Sequence, residues 1–129
     1  MTLDAFLNAI NGEPWTEERN CWALTAEIQQ RFFARSLPVV AYPPSGLARH
    51  RLFLSHPERT RWRRVDGPCH GAVVLMSKRR KPRIDEHAGV CLLMPGPMIV
   101  HADRPQGVAI EDLMLVEARG WLPEFYEPL

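Results

Sequence analysis

The sequence lacks the features of several specialised protein classes. Its three cysteines, Cys21, Cys69 and Cys91, are an odd number without a close Cys-x-x-Cys pair, which argues against a disulfide framework and for a reducing compartment. No apolar run approaches the roughly 20 residues that cross a bilayer. Residues 1–4 carry no basic segment and no apolar stretch follows them, so we expect no signal peptide, synthesis in the cytoplasm and no membrane span.

Excess charge of one sign is also missing. The formal net charge of the 129 residues is +1, which gives the whole molecule no strong attraction to nucleic acid or membrane. A hydrophobic fraction of 46% and a charged fraction of 24% are typical of a globular protein and argue against disorder. At this length we expect one domain, residues 1–129.

Apolar periodicity predicts two N-terminal helices. Residues 3–10 carry an apolar stripe at helical spacing and end at Asn11-Gly12. Residues 20–34 have the strongest helical pattern, and Asn20 is a favoured N-cap residue. The least readable stretch is 38–70, for which the sequence suggests a turn or extended connection at Pro43–Gly46, a short helix at 46–55 and an irregular or helical segment at 57–62.

The second half of the chain predicts a sheet. Ala72–Met76 is a compact apolar run, which indicates a buried strand, and a basic loop follows at Lys78–Arg83. Further elements are strands at Ala88–Leu93, Met98–Ala102 and Gly107–Ile110, one or two helical turns at Glu111–Ala118 and a closing strand at Gly120–Tyr126. A helix that carries Cys21, followed by an antiparallel sheet of about five strands, gives an α+β architecture.

Cys21 opens the second predicted helix, one residue after Asn20. The thiolate is the nucleophilic form of cysteine, and a free cysteine with a pKa of about 8.5 is only slightly ionised at neutral pH. Unpaired N–H groups and the positive end of the dipole at a helix start favour the thiolate. The position therefore indicates a catalytic nucleophile, with the same N–H groups as oxyanion donors. The alternative is a small, buried hydrophobic residue.

His87 and His101 flank the predicted hairpin. A two-residue Pro95-Gly96 turn would put the two histidines on opposite faces of the sheet. A three-residue loop at 94–96 instead places His101 opposite Gly89, on the same face as His87 and diagonal to it. In that register His87 acts as base towards Cys21 while His101 orients its ring. The alternative is a pair of satisfied histidines at strand ends.

Four short motifs follow one another along the chain: Asn20-Cys21-Trp22-Ala23-Leu24, Gly71-Ala72-Val73-Val74-Leu75-Met76, His87-Ala88-Gly89-Val90 and Val100-His101-Ala102. In this order they resemble the core of the NlpC-type cell-wall cysteine peptidases, which reads Asp-Cys-Ser-Gly-Leu, Gly-Asp-Leu-Val-Leu-Phe, His-Val-Gly-Ile and Ile-His-Ala. The resemblance implies a papain-like fold, with the N-terminal helices packed on the sheet. It also implies that Cys21 is the nucleophile, His87 the general base and His101 the orienting third residue.

The chain departs from the family pattern near the cysteine. The Asp, Ser and Gly of the family signature are absent, and Trp15 stands near a family tyrosine that is thought to lie by the oxyanion. An indole offers a single N–H there. Trp15, Asn20 and Trp22 are candidates for contacts with the substrate or the oxyanion. Residues 38–70 have no family counterpart and are interpreted as a family-specific insertion.

The resemblance also implies a function. Gly12-Glu13-Pro14-Trp15 and the Cys21-Trp22 pair are similar to the versions found in phage tail proteins. The implied activity is that of a cysteine peptidase or amidase that hydrolyses peptidoglycan stem peptides, at the bond between D-glutamate and diaminopimelate. We expect no cofactor, other tail-tip proteins as partners, and a virion or tail-like particle that acts at the cell wall. The alternative is a structural tail-tip or assembly protein that keeps the fold as a binding module without turnover.

The remaining reactive and charged residues have less specific interpretations. Cys69-His70 with either candidate histidine matches no common zinc spacing, so we expect no metal. Cys91 shares a face with His87, but core packing is its ordinary role. The basic clusters at 59–64 and 78–83 are interpreted as solvated loops, with anionic glycans, lipid head groups or phosphates as alternative contacts. No RNA-binding signature accompanies them, so we expect no nucleic-acid partner.

Overall fold

The computed structural model describes residues 1–38, 40–43 and 45–129. Val39 and Pro44, which belong to the predicted 38–70 insertion, lie outside the described residues, and with Pro44 so does part of the predicted Pro43–Gly46 connection. The described residues form an α+β fold. Its helices are α1 (Leu3–Ile10), α2 (Cys21–Phe33), α3 (Gly46–Ser55), α4 (Leu113–Ala118) and a 3-10 helix at Pro57–Arg61. Its strands are β1 (Trp62–Val65), β2 (Val73–Lys78), β3 (Lys81–Leu93), β4 (Pro97–Asp103), β5 (Gly107–Asp112) and β6 (Trp121–Pro128).

The first three helices begin where the sequence supplies a capping side chain. Thr2, Asn20 and Ser45 each accept a hydrogen bond from the backbone N–H three residues later, which satisfies one of the free donors at a helix start. The helices predicted at 3–10, 20–34 and 46–55 are confirmed. None of the described helices is long and apolar enough to cross a membrane.

The strands form one antiparallel sheet in the order β1-β6-β2-β3-β4-β5. This sheet has six strands rather than the predicted five, because β1 is short and two of its four residues are exposed arginines that hide any apolar alternation. The predicted basic loop at 78–83 is also wrong in part. Lys78 still belongs to β2 and Lys81 already opens β3, and the backbones of these two residues pair across the turn.

Helices cover both faces of the sheet. On one face, α1 and α2 pack on β3 and β4 through a cluster that includes Leu24, Ile28, Val90 and Val100. The other face packs against α4 through Val116 and its neighbours. Full burial of a side chain such as Leu24 or Ile28 stabilises the fold by roughly 1.5–3 kcal/mol. The packing of α2 on the sheet fixes the position of its first residue, Cys21.

The hairpin of β3 and β4 has the three-residue register. Val90 pairs with Val100 and Leu93 with Pro97, so residues 94–96 form the loop. Continuation of this register places His101 beside Gly89, and a Cβ on Gly89 would lie only 2.7 Å from the Val100 carbonyl oxygen. The prediction that His87 and His101 share a face is confirmed by the contact between their rings.

Candidate active site

A chain of hydrogen bonds starts at His87 on β3 and crosses two further strands. His87 Nε2 lies 2.8 Å from His101 Nδ1, and His101 Nε2 lies 2.8 Å from Glu111 Oε1 on β5. Both carboxylate oxygens of Glu111 accept hydrogen bonds from Arg119, which follows α4. Glu111 reaches His101 because it pairs with Ile99 and therefore stands diagonally across from His101 on the same face.

Burial sets the ionisation of the two histidines. The pKa of His87 lies well below its ordinary value, because burial penalises the imidazolium and the charges of His101 and nearby guanidinium groups add to the effect. Burial also lowers the pKa of His101, against the opposing influence of Glu111. For Glu111 burial pushes the pKa up, but hydrogen bonds from Arg119 and His101 lower it overall. At neutral pH the site therefore contains two neutral imidazoles and one carboxylate.

These ionisation states fix the tautomers. The Glu111 carboxylate can only accept, so His101 donates from Nε2 and keeps a lone pair on Nδ1. His87 then donates from Nε2 to that lone pair, which leaves its own Nδ1 without a proton. A buried neutral imidazole with one oriented, unprotonated nitrogen is the group that a general base requires.

The ring of His87 is also held on its flat side. Trp121, the first residue of β6, stacks on it with ring centroids 4.9 Å apart and an interplanar angle of 25°. Trp121 is itself buried, and the Lys78 ammonium lies 5.9 Å from its ring centroid. This stack restricts rotation of the His87 ring, so the ring keeps the orientation that the bond to His101 sets.

Cys21 occupies the first position of α2, as the sequence predicts, and its side chain is 0% exposed. The thiol donates to the hydroxyl oxygen of Tyr42, 3.5 Å away. The backbone N–H of Ala88 also points at the sulfur. Tyr42 is held in turn by the Arg49 guanidinium, which lies 4.9 Å from its ring centroid. The Trp15 ring meets it in a T-shaped contact, with the two ring centroids 5.6 Å apart.

The ionisation expected for Cys21 from its helix position is not found. Burial raises the pKa of the thiol, and this effect outweighs the hydrogen bonds that Cys21 makes with Tyr42 and Ala88 and the charge of Arg49, which lower it. Burial also raises the pKa of Tyr42, and the neighbouring thiol raises it further. The resting site thus contains a neutral thiol and a neutral phenol, because desolvation outweighs the helix start when no water reaches the sulfur.

Cys21 and His87 approach the same point of β3. The sulfur meets the N–H of Ala88, the residue directly after His87, and Cys21 packs in one cluster with Ala88 and Tyr42. The hydrogen-bond partners of the thiol are Tyr42 and Ala88, and His87 is not one of them. The three predicted residues therefore lie in one region, in which the histidine pair is connected and the thiol is covered by Tyr42.

A cleft of about 1240 Å³ opens at this region. It is bounded by stretches that surround His87, and their lining residues fall within 15–20, 40–43, 78–80, 86–87, 103–106 and 119–121, together with Arg49. Cys21 is not among the lining residues, whereas Asn20, Tyr42 and His87 are. The base therefore lines the cleft, and the nucleophile lies beneath the cleft lining, bonded to the hydroxyl of Tyr42.

The other three candidates lie in different places. Trp15 lines the cleft, with the Arg104 guanidinium carbon 3.6 Å from its ring centroid. Asn20 also lines the cleft, but its amide caps α2 and donates to the Glu17 carbonyl oxygen. Trp22 is not brought to the cleft. Its indole N–H donates to the Pro38 carbonyl oxygen, and its ring packs near Phe53 in a separate apolar pocket.

Several residues of the site were not predicted from the sequence. Tyr42 lies within the unreadable stretch 38–70, so no pattern pointed to it. The sequence places Glu111 in a predicted helical segment, whereas extension of the predicted strand at 107–110 by one residue puts it opposite Ile99 and diagonal to His101. Asp103 stands two residues after His101, and a carboxylate oxygen of Asp103 lies within 4.8 Å of a nitrogen from each histidine.

The arrangement supplies the groups that acyl transfer requires. It contains an oriented base, a thiol at a helix start, a phenol that can donate a hydrogen bond, and a large cleft.

Comparisons of the chain with models of protein families, with curated proteins and with solved structures found no match.

Proposed function

We propose that this chain is a cysteine hydrolase of the NlpC type, in which Cys21 is the nucleophile, His87 the general base and His101 the residue that orients it. The observation that carries the proposal is the hydrogen-bonded pair of histidines, whose tautomers are set by Glu111 and whose free nitrogen belongs to His87. The pair lies next to Ala88, whose backbone N–H contacts the sulfur of Cys21. Cys21 is the only thiol at a described helix start.

The proposed reaction starts from a neutral thiol and a neutral imidazole. As the sulfur of Cys21 attacks the amide carbonyl carbon, its proton passes to Nδ1 of His87, and the C=O π electrons move to the oxygen. The imidazolium is stabilised through His101 by the carboxylate of Glu111. His87 then returns the proton to the leaving amine as the C–N bond breaks. Water, deprotonated by His87, hydrolyses the thioester and releases the acid and the thiol.

Tyr42 must change its contact with Cys21 during this reaction. The ring covers the sulfur in the resting site, so a substrate carbonyl reaches Cys21 only when Tyr42 swings aside. The hydroxyl of Tyr42 then remains close enough to donate to the oxygen that becomes negative. The backbone N–H of Cys21 at the helix start is a second donor. We therefore assign to Tyr42 the side-chain contact with the oxyanion for which the sequence offered Trp15, Asn20 and Trp22 as candidates.

The proposed substrate is a peptidoglycan stem peptide, cleaved between D-glutamate and diaminopimelate, and the proposed carrier is a phage or prophage tail. The resemblance of the motifs supports this choice. Lys78, Arg79, Arg80 and Arg104 line the cleft and suit the free carboxylates of such a peptide, and the lining also carries four acidic residues, Glu17, Glu18, Glu86 and Asp103. The cleft is also large enough for a peptide of several residues.

Product analysis tests the proposal. Purified muropeptides are incubated with the wild type, with Cys21→Ala and with Cys91→Ala as a matched control, since Cys91 is a second buried cysteine outside the site. We expect the wild type and Cys91→Ala to release the same two fragments, identified by mass, and Cys21→Ala to release none. Cleavage by Cys21→Ala would contradict the assignment of the nucleophile.

A second candidate function is a tail-tip or assembly module that binds without turnover. The observation that favours it is the complete burial of Cys21 behind Tyr42, which is unusual for a working nucleophile. In that case folded wild type should bind muropeptides, as measured by calorimetry, and leave all of them intact.

A further inference from the structure

We infer that His87, His101 and Asp103 form a site for a divalent transition-metal ion, with zinc as the most suitable, and that an ion bound there switches off the base at His87. The existence of the metal site does not depend on the proposed function. The effect of the bound ion on hydrolysis does rest on the proposed function. The inference also goes beyond the sequence, whose cysteine and histidine spacing predicted no metal.

The three residues are already grouped closely enough for a shared ligand. One nitrogen from each ring and one carboxylate oxygen of Asp103 all lie within 4.8 Å of one another. Zinc holds imidazole nitrogens and carboxylate oxygens at about 2.0–2.2 Å, so ligand atoms on a tetrahedral ion are roughly 3.3 Å apart. A separation of 4.8 Å would therefore have to close by about 1.5 Å on binding, and Asp103, whose Oδ1 accepts from the Arg104 backbone N–H, is the ligand that is not buried.

The two histidines are prepared as ligands by their neighbours. Metal-bound histidines almost always donate their second N–H to a carboxylate, a backbone carbonyl or water, and His101 donates to the Glu111 carboxylate at 2.8 Å. Arg119 holds that carboxylate in place. The His87 ring is stacked on Trp121. Two of the three ligands are therefore oriented before any ion arrives, which reduces the entropy lost on binding.

The third ligand lies on the open side of the site. Asp103 is partly exposed and lines the cleft, so its carboxylate brings a negative charge to the open side. Water or a substrate carboxylate from the cleft can complete the coordination, which makes this an open site rather than a closed structural one.

Occupation of the site removes the general base in either geometry. If the ion takes Nδ1 of His87, it occupies the free lone pair. If it takes Nε2, the proton on that nitrogen moves to Nδ1, and His87 can then only donate from there. The hydrogen bond between the rings gives way to the ion in the second case, since 2.8 Å is about 0.5 Å too short for two ligands of one tetrahedral zinc.

Calorimetric titration of the 129-residue chain with zinc chloride tests the site. We expect one equivalent to bind the wild type and Cys21→Ala with the same affinity, because the thiol is not a ligand. Asp103→Asn should bind at least about tenfold more weakly, and Glu111→Gln about 10- to 100-fold more weakly, because it loses the carboxylate that orients His101. Asp112→Asn is the matched control, since Asp112 is exposed and its side chain makes no capping bond.

Other results would overturn the inference. The first is that zinc in 100-fold excess over a chain concentration of about 10 μM does not bind. The second is an equal zinc affinity of Asp103→Asn and Asp112→Asn, and the third is a loss of zinc binding in Cys21→Ala. Cobalt in place of zinc gives an independent reading, because a sulfur-to-cobalt absorption band would place the ion on the thiol. Circular dichroism confirms that each variant is folded.

Activity separates this inference from the proposed function. If muropeptide cleavage by metal-free wild type falls as the zinc site fills, both statements hold. If zinc binds as expected while the metal-free chain never cleaves, the proposed function fails and the metal site stands.

Discussion

Single side chains determine how the site is protonated. His87, His101 and Glu111 form a line in which each group fixes the proton of the next, and Arg119 anchors its outer end. Cys21 is outside this line, and Tyr42 covers it. The protonation of the base and the access to the nucleophile are therefore separate properties of the site.

The first prediction concerns Glu111. Glu111→Gln should reduce kcat for stem-peptide cleavage by roughly tenfold or more, since the amide no longer forces the His101 tautomer that accepts from His87. His87→Ala should cost about 10²- to 10⁴-fold, the range of general-base catalysis. Steady-state rates measure both, with Glu117→Gln as control, because the Glu117 side chain is exposed on α4. An unchanged kcat in Glu111→Gln would remove Glu111 from the account.

The second prediction concerns Tyr42. In native wild type at pH 7.5, iodoacetamide should modify the partly exposed Cys69 before Cys21, because Cys21 is buried and its pKa is raised. Tyr42→Ala should expose the sulfur, and a fall of one pKa unit alone would raise the thiolate fraction about tenfold. Peptide mass spectrometry follows both thiols in one sample, so Cys69 is the internal reference. Equal Cys21 rates in wild type and Tyr42→Ala would show that Tyr42 is not the cover.

At the scale of the elements, the β3–β4 hairpin holds the site together. Its three-residue loop puts the two histidines on one face, and Gly89 permits the close approach of the strands. Beyond the Val90–Val100 pair the cleft takes its lining from both strands, including His87 and Asp103. The hairpin therefore creates both the contact between the rings and the opening beside them.

The third prediction tests this hairpin. Gly89→Ala should lower the free energy of unfolding by about 1–3 kcal/mol, because its Cβ would meet the Val100 carbonyl oxygen at 2.7 Å and backbone cannot easily yield. Gly96→Ala, where a Cβ meets nothing within 4 Å, should leave stability nearly unchanged. Urea unfolding followed by tryptophan fluorescence compares the two. Equal stability of both variants would contradict the tight register.

Elements with a strong local signal could be predicted from the sequence, and those held only by tertiary contacts could not. Asn20 and the apolar stripe behind it located α2. For the hairpin the sequence offered a two-residue and a three-residue loop, and the structure has the three-residue loop that puts His87 and His101 on one face. By contrast, β1 exists because its backbone pairs with β6. Tyr42 reaches Cys21 through a segment that has no periodicity of its own. The raised pKa of Cys21 depends on this burial, which its position at a helix start does not reveal.

For the whole molecule, the cleft lies where turns from the helices and the sheet converge on His87. Arg79 donates to the Glu117 carbonyl oxygen, which ties the β2–β3 turn to the end of α4. The same region buries two neutral histidines. Their burial couples the stability of the whole fold to pH.

The fourth prediction gives the sign of this coupling. The pKa of His87 and of His101 is lowered in the folded chain, so both contribute stability that is present above their unfolded pKa of about 6.5 and is lost as pH falls below it. Each histidine can lower the free energy of unfolding by up to about 1.4 kcal/mol for each pH unit of acidification. Asp85, whose pKa burial raises, acts in the opposite sense at lower pH. Urea unfolding between pH 8 and 5 should show the loss, and His101→Gln should flatten it. A flat profile in the wild type would contradict neutral burial.

The most direct test of the central claim is the rate of stem-peptide cleavage by four forms of the chain: wild type, Cys21→Ala, His87→Ala and the double variant. Groups that act as one unit are strongly non-additive, so Cys21→Ala should fall to background, His87→Ala should fall by about 10²- to 10⁴-fold, and the double variant should be no slower than Cys21→Ala. Turnover by Cys21→Ala above background, or a wild-type rate in His87→Ala, would contradict a nucleophile and base that work together.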